Sequence, residues 1–186
     1  MLLAKRPMLR LADPMLRFHH AIVRPDRARF EARRTLEGWS GAVARFETRV
    51  LGPHLEDLAR EWTRSFASPE TLGGQAQCVG FTNVNDPGAG DRFEIDVVVK
   101  SADSRPGDPR PVLLAIGEAK GRTAPVGVGE VQRLERLRGV LQRRAITEST
   151  RLILFARSGF EPDVVAAARR RSDLVLVDLD RMYGGA

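Results

Sequence analysis

Two runs decide how this chain reads: Arg92-Phe-Glu-Ile-Asp-Val-Val-Val-Lys100 and, after a loop, Pro111-Val-Leu-Leu-Ala-Ile-Gly-Glu-Ala-Lys120. Both are rich in Val, Ile and Leu, which fit a pleated surface. Between them, Ser101 to Arg110 holds Pro106, Gly107, Asp108 and Pro109, which favour turns. The pair predicts a β-hairpin with carboxylates where strands ordinarily carry apolar side chains. A hairpin symmetric about Gly107 sets Asp96 opposite Glu118. Opposed residues on antiparallel strands share a face with Cβ atoms roughly 4.5–5.5 Å apart, and like charges so placed repel. A divalent cation, Mg²⁺ or Mn²⁺, relieves that repulsion, because hard cations collect carboxylate oxygens. Lys120, two residues beyond Glu118, projects from the same face. Asp, Glu-x-Lys and a metal point to phosphodiester hydrolysis. A bulge would shift the register by one and turn Asp96 to the other face. The plain alternative is a surface hairpin whose acids are solvated or paired with arginines.

Composition sharpens the choice. Lys5, Lys100 and Lys120 are the only lysines, every other Lys/Arg position being arginine. Lysine's compact ammonium and arginine's planar fork are not equivalent, so a lysine beside the acids of an arginine-rich chain favours chemistry. At 186 residues the length suits one domain with a small appendage. We divide it into an N-terminal helical segment, 1–51, and a domain, 52–186, that holds the hairpin. A hydrophobic content of 42% with 29% charged residues is that of an ordinary globular protein. The net charge of +6 suits a polyanion partner. A single cysteine, Cys78, excludes an internal disulfide framework and a cysteine-based zinc site, and its apolar surroundings predict a buried small hydrophobe. No long apolar segment is present, which predicts a cytoplasmic location.

Taken in order, Pro7, Asp13-Pro14 and Pro25 divide Leu2 to Val23 into short helices, with Asp13 as N-cap and Pro14 at the first helical position. Arg27–Leu36 and Trp39–Leu51 read as two further helices, and Gly52-Pro53 as a break. Leu55–Phe66 is an amphipathic helix on which Glu56 either reaches inward over a sheet or serves as a first-turn acid, while Glu61 faces solvent beside an arginine. Ala76–Val84 is a first strand. After Lys120 the pattern predicts a helix over Val128–Arg144 with Val131, Leu134, Leu137 and Leu141 inward. A strand over Arg151–Ala156, a helix over Glu161–Arg171 begun by Pro162 and a strand over Leu174–Val177 follow. Alternation of strand and helix at this end favours parallel pairing. The expected fold is therefore α/β: a mixed central sheet of about five strands flanked by helices. The arginines of the helix after Lys120, notably Arg133 and Arg136, together with Arg122 in the preceding loop, are candidates for phosphate contacts, or else a solvated face. No Gly-x-x-x-x-Gly-Lys-Ser/Thr loop, no Gly-x-Ser-x-Gly elbow and no histidine metal motif is present.

Glu56 on a helix, Asp96 on a strand and Glu118-Ala-Lys120 on the next resemble the PD-(D/E)xK, or restriction-endonuclease-like, nuclease superfamily. More of the chain is similar to the C-terminal DUF234-type region of archaeal-type AAA ATPases. That likeness rests on Leu11-Ala-Asp-Pro-Met-Leu-Arg-Phe18, Gly52-Pro-His-Leu-Glu-Asp-Leu58, Glu94-Ile-Asp-Val-Val98 and Gly117-Glu-Ala-Lys120. The ATPase module is missing here, Leu2 to Leu11 matches at most the end of a winged helix, and His19-His20 stand where the family has aromatic residues. The resemblance implies that Asp96 and Glu118 ligate Mg²⁺ with the carbonyl of Ala119 and with Glu56. It also implies that Lys120 orients or activates the attacking water, and that Glu94 neutralises Lys120 or acts as an outer ligand, the first being favoured. The function so implied is metal-dependent hydrolysis of DNA. The competing expectations are a catalytically silent module that binds nucleic acid or docks onto a partner ATPase, and a purely structural appendage.

Overall fold

The computed structural model describes residues 10–86, 90–105 and 107–184. Five strands, β1 (Ala76–Asp86), β2 (Asp91–Ser101), β3 (Leu113–Lys120), β4 (Arg151–Ala156) and β5 (Leu174–Asp178), form one sheet in the order β1-β2-β3-β4-β5. The first three are antiparallel, and β3, β4 and β5 are parallel. The parallel half is connected by helices α7 (Val128–Leu141) and α8 (Pro162–Arg170), as crossovers demand. This is the mixed, helix-flanked sheet expected, consistent with a restriction-endonuclease-like architecture.

Strands buried on both faces need apolar side chains in both phases, and β2 and β4 supply them. Val98, Ile116, Leu152 and Leu154 pack towards Val131, Leu134, Leu137 and Leu141 of α7 and Val164 of α8. On the other face Val97, Val99, Ala115, Ile153 and Phe155 meet Ala59 and Trp62 of α5 (Gly52–Ser65) and Leu72 of α6 (Pro69–Leu72). Trp62 and Phe155 stack edge to face at 5.9 Å, a pairing worth roughly 0.5–1.5 kcal/mol beyond burial. Gly117 is crowded by the strands on either side of it: a Cβ there would stand 2.9 Å from the Ile153 carbonyl oxygen of β4 and 3.3 Å from Val97 Cβ of β2. Only glycine fits the residue before Glu118.

The N-terminal helices α1 (Pro14–Phe18), α2 (Arg27–Glu31), α3 (Thr35–Ser40) and α4 (Val43–Phe46) enclose a separate small core of Ala21, Ile22, Ala42 and Val50, with Phe18, Phe30 and Phe46 against it. Asp13 caps α1 as expected, accepting from the Met15 and Leu16 amides at 2.7 and 3.1 Å. Four expectations change: the helix expected over Trp39–Leu51 is interrupted at Gly41-Ala42, between α3 and α4. The helix expected over Arg27–Leu36 ends at Glu31, where Arg33 takes the left-handed region (φ 59°), and restarts at Thr35. Gly52-Pro53 does not break the chain's helical path: a π-turn, Glu47–Leu51, runs directly into α5 and places Pro53 in the first turn, where its missing N–H costs nothing. Cys78 is half-buried on the edge strand β1 rather than a core residue. The short helices α6 and α9 (Leu179–Gly184) were not anticipated, being too brief to show a period. The helical expectation for residues 2–9 lies outside the described residues. Among the described residues no helix is long and apolar enough to cross a membrane.

Candidate active site

Val97 opposite Gly117, Val98 opposite Ile116 and Val99 opposite Ala115 keep the register that symmetry about Gly107 predicts, but it shifts towards the loop, where Lys100 pairs with Leu113, and the expected pairing of Asp96 with Glu118 is not formed. Pairing then stops. Beyond Val97–Gly117 the strands β2 and β3 part, while β3 continues beside β4 as far as Lys120 opposite Ala156. A bulge in the β1–β2 ladder, between Gly80 and Thr82, falls at the same level, and bulges re-aim side chains in this way. Backbone groups released by the divergence find other partners. The Ala119 amide donates to Asp96 Oδ2 at 2.9 Å. The Asp96 carbonyl accepts from Arg60 Nη1 of α5 at 2.8 Å, and the Glu94 carbonyl accepts from Arg133 Nη2 of α7 at 3.4 Å. The site is thus a cleft between two strands that have stopped pairing, clamped from both faces by arginines.

Three carboxylates converge there. One oxygen each of Glu56, Glu94 and Asp96 lies within 4.8 Å of the other two, a spacing that admits one cation. Glu56 takes the inward of its two alternatives, reaching from α5 to β2. Arg10 stands among these acids, its Nη1 2.8 Å from Glu56 Oε2 and its Nη2 bonded to Glu94 Oε1. Asp96 is 6% exposed. Burial, and then the neighbouring charge of Glu118, push its carboxyl up to about 8, against the lowering effect of the Ala119 amide. Burial also raises Glu56, which Arg10 only partly offsets.

Glu118, 5% exposed, faces α7. Its Oε1 accepts from Lys120 Nζ at 2.9 Å and from Arg133 Nη1, while its Oε2 is buried without a hydrogen-bond partner. A buried carboxylate oxygen left bare is costly and asks for a ligand. Lys120 is held between Glu118 and Glu130 of α7, the latter at 3.2 Å. The favoured expectation that Glu94 neutralises Lys120 is therefore corrected: Glu94 pairs with Arg10, and Glu118 and Glu130 hold the ammonium. Arg122 also turns to Glu130, at 3.7 Å. Arg136 stacks over Phe93 at 4.8 Å, and Arg133 lies over the same ring at 5.8 Å while bonding Glu118. Glu61 pairs with Arg64 at the surface, as expected.

Arg10, Arg60 and Glu130 were missed from the sequence. Arg60 follows Glu56 by four residues, a helical spacing that places both on one face. Glu130 is a first-turn acid of α7, which the helix dipole alone would explain. Nothing in the sequence brings Arg10 to the cluster.

The donor set fits a hard divalent cation. It offers only carboxylate and carbonyl oxygens, Asp96 is reluctant to ionise without a neighbouring positive charge, and Glu118 Oε2 lacks a partner. In an extended strand the amide and carbonyl of one residue face the same neighbour, so the Ala119 carbonyl follows its amide towards Asp96.

No protein-family model matches the chain, and no curated protein sequence matches it. Among solved structures, its backbone is similar to the structure of an EndoMS–dsDNA complex, with a TM-score of 0.35 and 17% identity over 65% of this chain and 43% of that one. The matched region is less than half of that protein's length, and a similarity of this strength does not bear on chemistry.

Proposed function

We propose that the cleft between β2 and β3 is a metal-dependent site for hydrolysis of phosphodiesters in nucleic acid, with DNA as the substrate. The observation that carries this reading is the convergence of Glu56, Glu94 and Asp96 within 4.8 Å; Glu118 lies outside that group, but its charge raises Asp96, its Oε2 is bare and it holds the Lys120 ammonium. Asp96, Glu118, the Ala119 carbonyl and Glu56 would hold Mg²⁺ or Mn²⁺, with Glu94 as a further ligand. The bound ion supplies Lewis-acid polarisation of the phosphoryl oxygen and a lowered pKa for water. Lys120, fixed by Glu118 and Glu130, orients the attacking water and offsets charge gathering at phosphorus. Arg122, Arg133 and Arg136 flank the cleft as phosphate contacts. Arg10 occupies the acids' charge in the metal-free protein and gives way to the cation.

Supercoiled plasmid with Mg²⁺ or Mn²⁺ tests this on the whole chain. Nicking is expected from the native protein and not from Asp96→Ala or Lys120→Ala. Absence of nicking at every protein concentration, or equal nicking by Lys120→Ala, overturns it.

The position of Arg10 favours a second reading. A guanidinium bonded to two of the three acids, with Lys120 locked between two more, neutralises the cluster without a metal. On that reading the chain is a silent nuclease-fold module that binds nucleic acid or docks onto a partner ATPase. Salt-sensitive DNA binding that survives Asp96→Ala, with no cleavage, would identify the first role, and recovery of an ATPase with the tagged chain the second.

A further inference from the structure

Beside the acid cluster lies a pocket of about 280 Å³ lined by Arg10, Leu11, Arg17, Arg49, Pro53 and Glu56. Two of these residues, Arg10 and Glu56, belong also to the cluster, so pocket and cleft adjoin. Three arginines face a single acid across the lining. Arg17 is the least usual of them, because it is only 8% exposed. Its Nε donates to the Leu11 carbonyl and its Nη2 to Asp57 Oδ2 at 2.6 Å, but its buried Nη1 has no hydrogen-bond partner. A buried guanidinium nitrogen without an acceptor carries the full cost of desolvation. Asp57, which also takes Arg60 at 2.6 Å, is held below the usual carboxylate range against the opposing effect of its own burial, so its charge is already committed to two arginines. Arg49 is exposed and, among the described residues, makes no ion pair. The pocket therefore holds one unfinished buried fork, one uncommitted cation and one arginine shared with the acids.

We propose that this pocket seats a phosphate group of the nucleic-acid strand whose neighbouring phosphodiester lies at the acid cluster. The inference rests on the nucleic-acid reading above but not on cleavage. Tetrahedral phosphate oxygens match the planar forks of several arginines at once, which lysine or a neutral donor does not reproduce. Arg17 Nη1 is closed off as the side chain stands and would turn into the pocket to meet a phosphate oxygen, completing that side chain's hydrogen bonding, while Arg49 closes on the same group from the open side. A cation bound by Glu56 and Glu94 would release Arg10 towards the pocket, so metal and phosphate occupancy assist each other.

The test measures affinity of the whole chain for a short DNA duplex by fluorescence anisotropy across a salt series, with Ca²⁺ present and no cleavage required. Arg49→Gln is expected to flatten the slope of log K against log salt by about 0.9, the loss of one duplex phosphate contact. Arg170→Gln, which removes an exposed arginine on α8 away from the pocket, is the control and leaves the slope unchanged. Arg17→Lys keeps the charge and removes the fork, so it lowers affinity several-fold while the slope stays. Equal slopes for the native protein and Arg49→Gln, equal changes in Arg49→Gln and Arg170→Gln, or no DNA binding at all overturn the proposal. So does inorganic phosphate whose calorimetric binding is lost in Arg49→Gln while the DNA slope is unmoved, since the pocket then serves a free ion. If plasmid nicking is absent but the slopes differ as expected, the hydrolase reading fails and this one stands. Nicking with an unaltered Arg49→Gln slope reverses that outcome.

Discussion

Two clusters of acids and arginines lie at opposite ends of the parallel strands, and they are built on contrary principles. At the end where β4 and β5 begin, Asp173 accepts from Arg138 of α7 at 2.9 Å and from Arg171 through two nitrogens at 3.0 Å each, while Arg171 also reaches Glu135. The Arg171 guanidinium, aided by Arg138, pulls the Asp173 carboxyl down to about 2 despite some burial. Acid and base there complete each other. At the far end, burial and Glu118 push Asp96 up to about 8, and Glu118 keeps a bare oxygen. In one cluster the acid and its arginines complete each other, and in the other, despite Arg10, Lys120 and Arg133, one carboxyl is raised and one carboxylate oxygen is left without a partner. The proposed site and the brace thus perturb their acids in opposite directions, which is the contrast on which the proposal can be tested.

The sharpest contrast is in activity. Asp96→Ala or Lys120→Ala should lower Mn²⁺-dependent plasmid nicking by about 10²-fold or more, the scale of losing a preorganised charge at a transition state. Asp173→Asn should leave the nicking rate within about twofold of the native rate. Equal losses at both ends would erase the distinction between site and brace.

Metal should separate the clusters next. Mn²⁺ at about 100 times its Kd is expected to stabilise the native chain by about 2.7 kcal/mol, measured by thermal unfolding, and to do nothing for Asp96→Ala. The gain should grow with pH, because the ion competes with the proton on Asp96.

Titration of stability in metal-free buffer should then give opposite signs. Asp96 holds its proton more tightly folded than unfolded, so its contribution is full below about pH 4 and is lost as pH rises towards 8. Asp173 is the reverse: its contribution is present above about pH 4 and is lost as pH falls towards 2. Denaturant midpoints against pH should therefore lose their alkaline decline in Asp96→Asn and part of their acid decline in Asp173→Asn. The comparison breaks if Asp96→Asn leaves the alkaline limb unchanged. The smallest effect is expected from Arg171→Ala, a destabilisation of about 1 kcal/mol by urea unfolding, since its partners are partly solvated.

Much of the fold was legible because its signals are periodic. Strand β4 runs over the residues expected from its apolar run, and all four inward residues of α7 are buried. The middle of the hairpin, Val97 to Val99 against Gly117 to Ala115, followed from loop symmetry, while the shift at Lys100 did not. What could not be read is where pairing ends. Divergence beyond Val97–Gly117 accompanies the bulge in β2, where Asp96 and Val97 stand against the single residue Phe81 of β1, and the arginines Arg60 and Arg133, contributed by helices distant in sequence. The partner of Glu94 was missed for the same reason, because Arg10 is 84 residues away and no local pattern joins them. Conversely, Gly52-Pro53 carried a strong local signal for a break, and the π-turn overrode it by absorbing the proline into the first turn of α5.

The divergence of β2 from β3 sets a limit on how this protein can be improved. One more rung of ladder would stabilise the sheet, and any substitution that let the strands zip as far as Asp96 and Glu118 would be favoured by selection for robustness alone. The same substitution would close the cleft. The Ala119 amide is taken by the Asp96 carboxyl and the Asp96 carbonyl by Arg60, so the groups that would form the next rung are already occupied, and variants chosen only for heat tolerance should lose these contacts first.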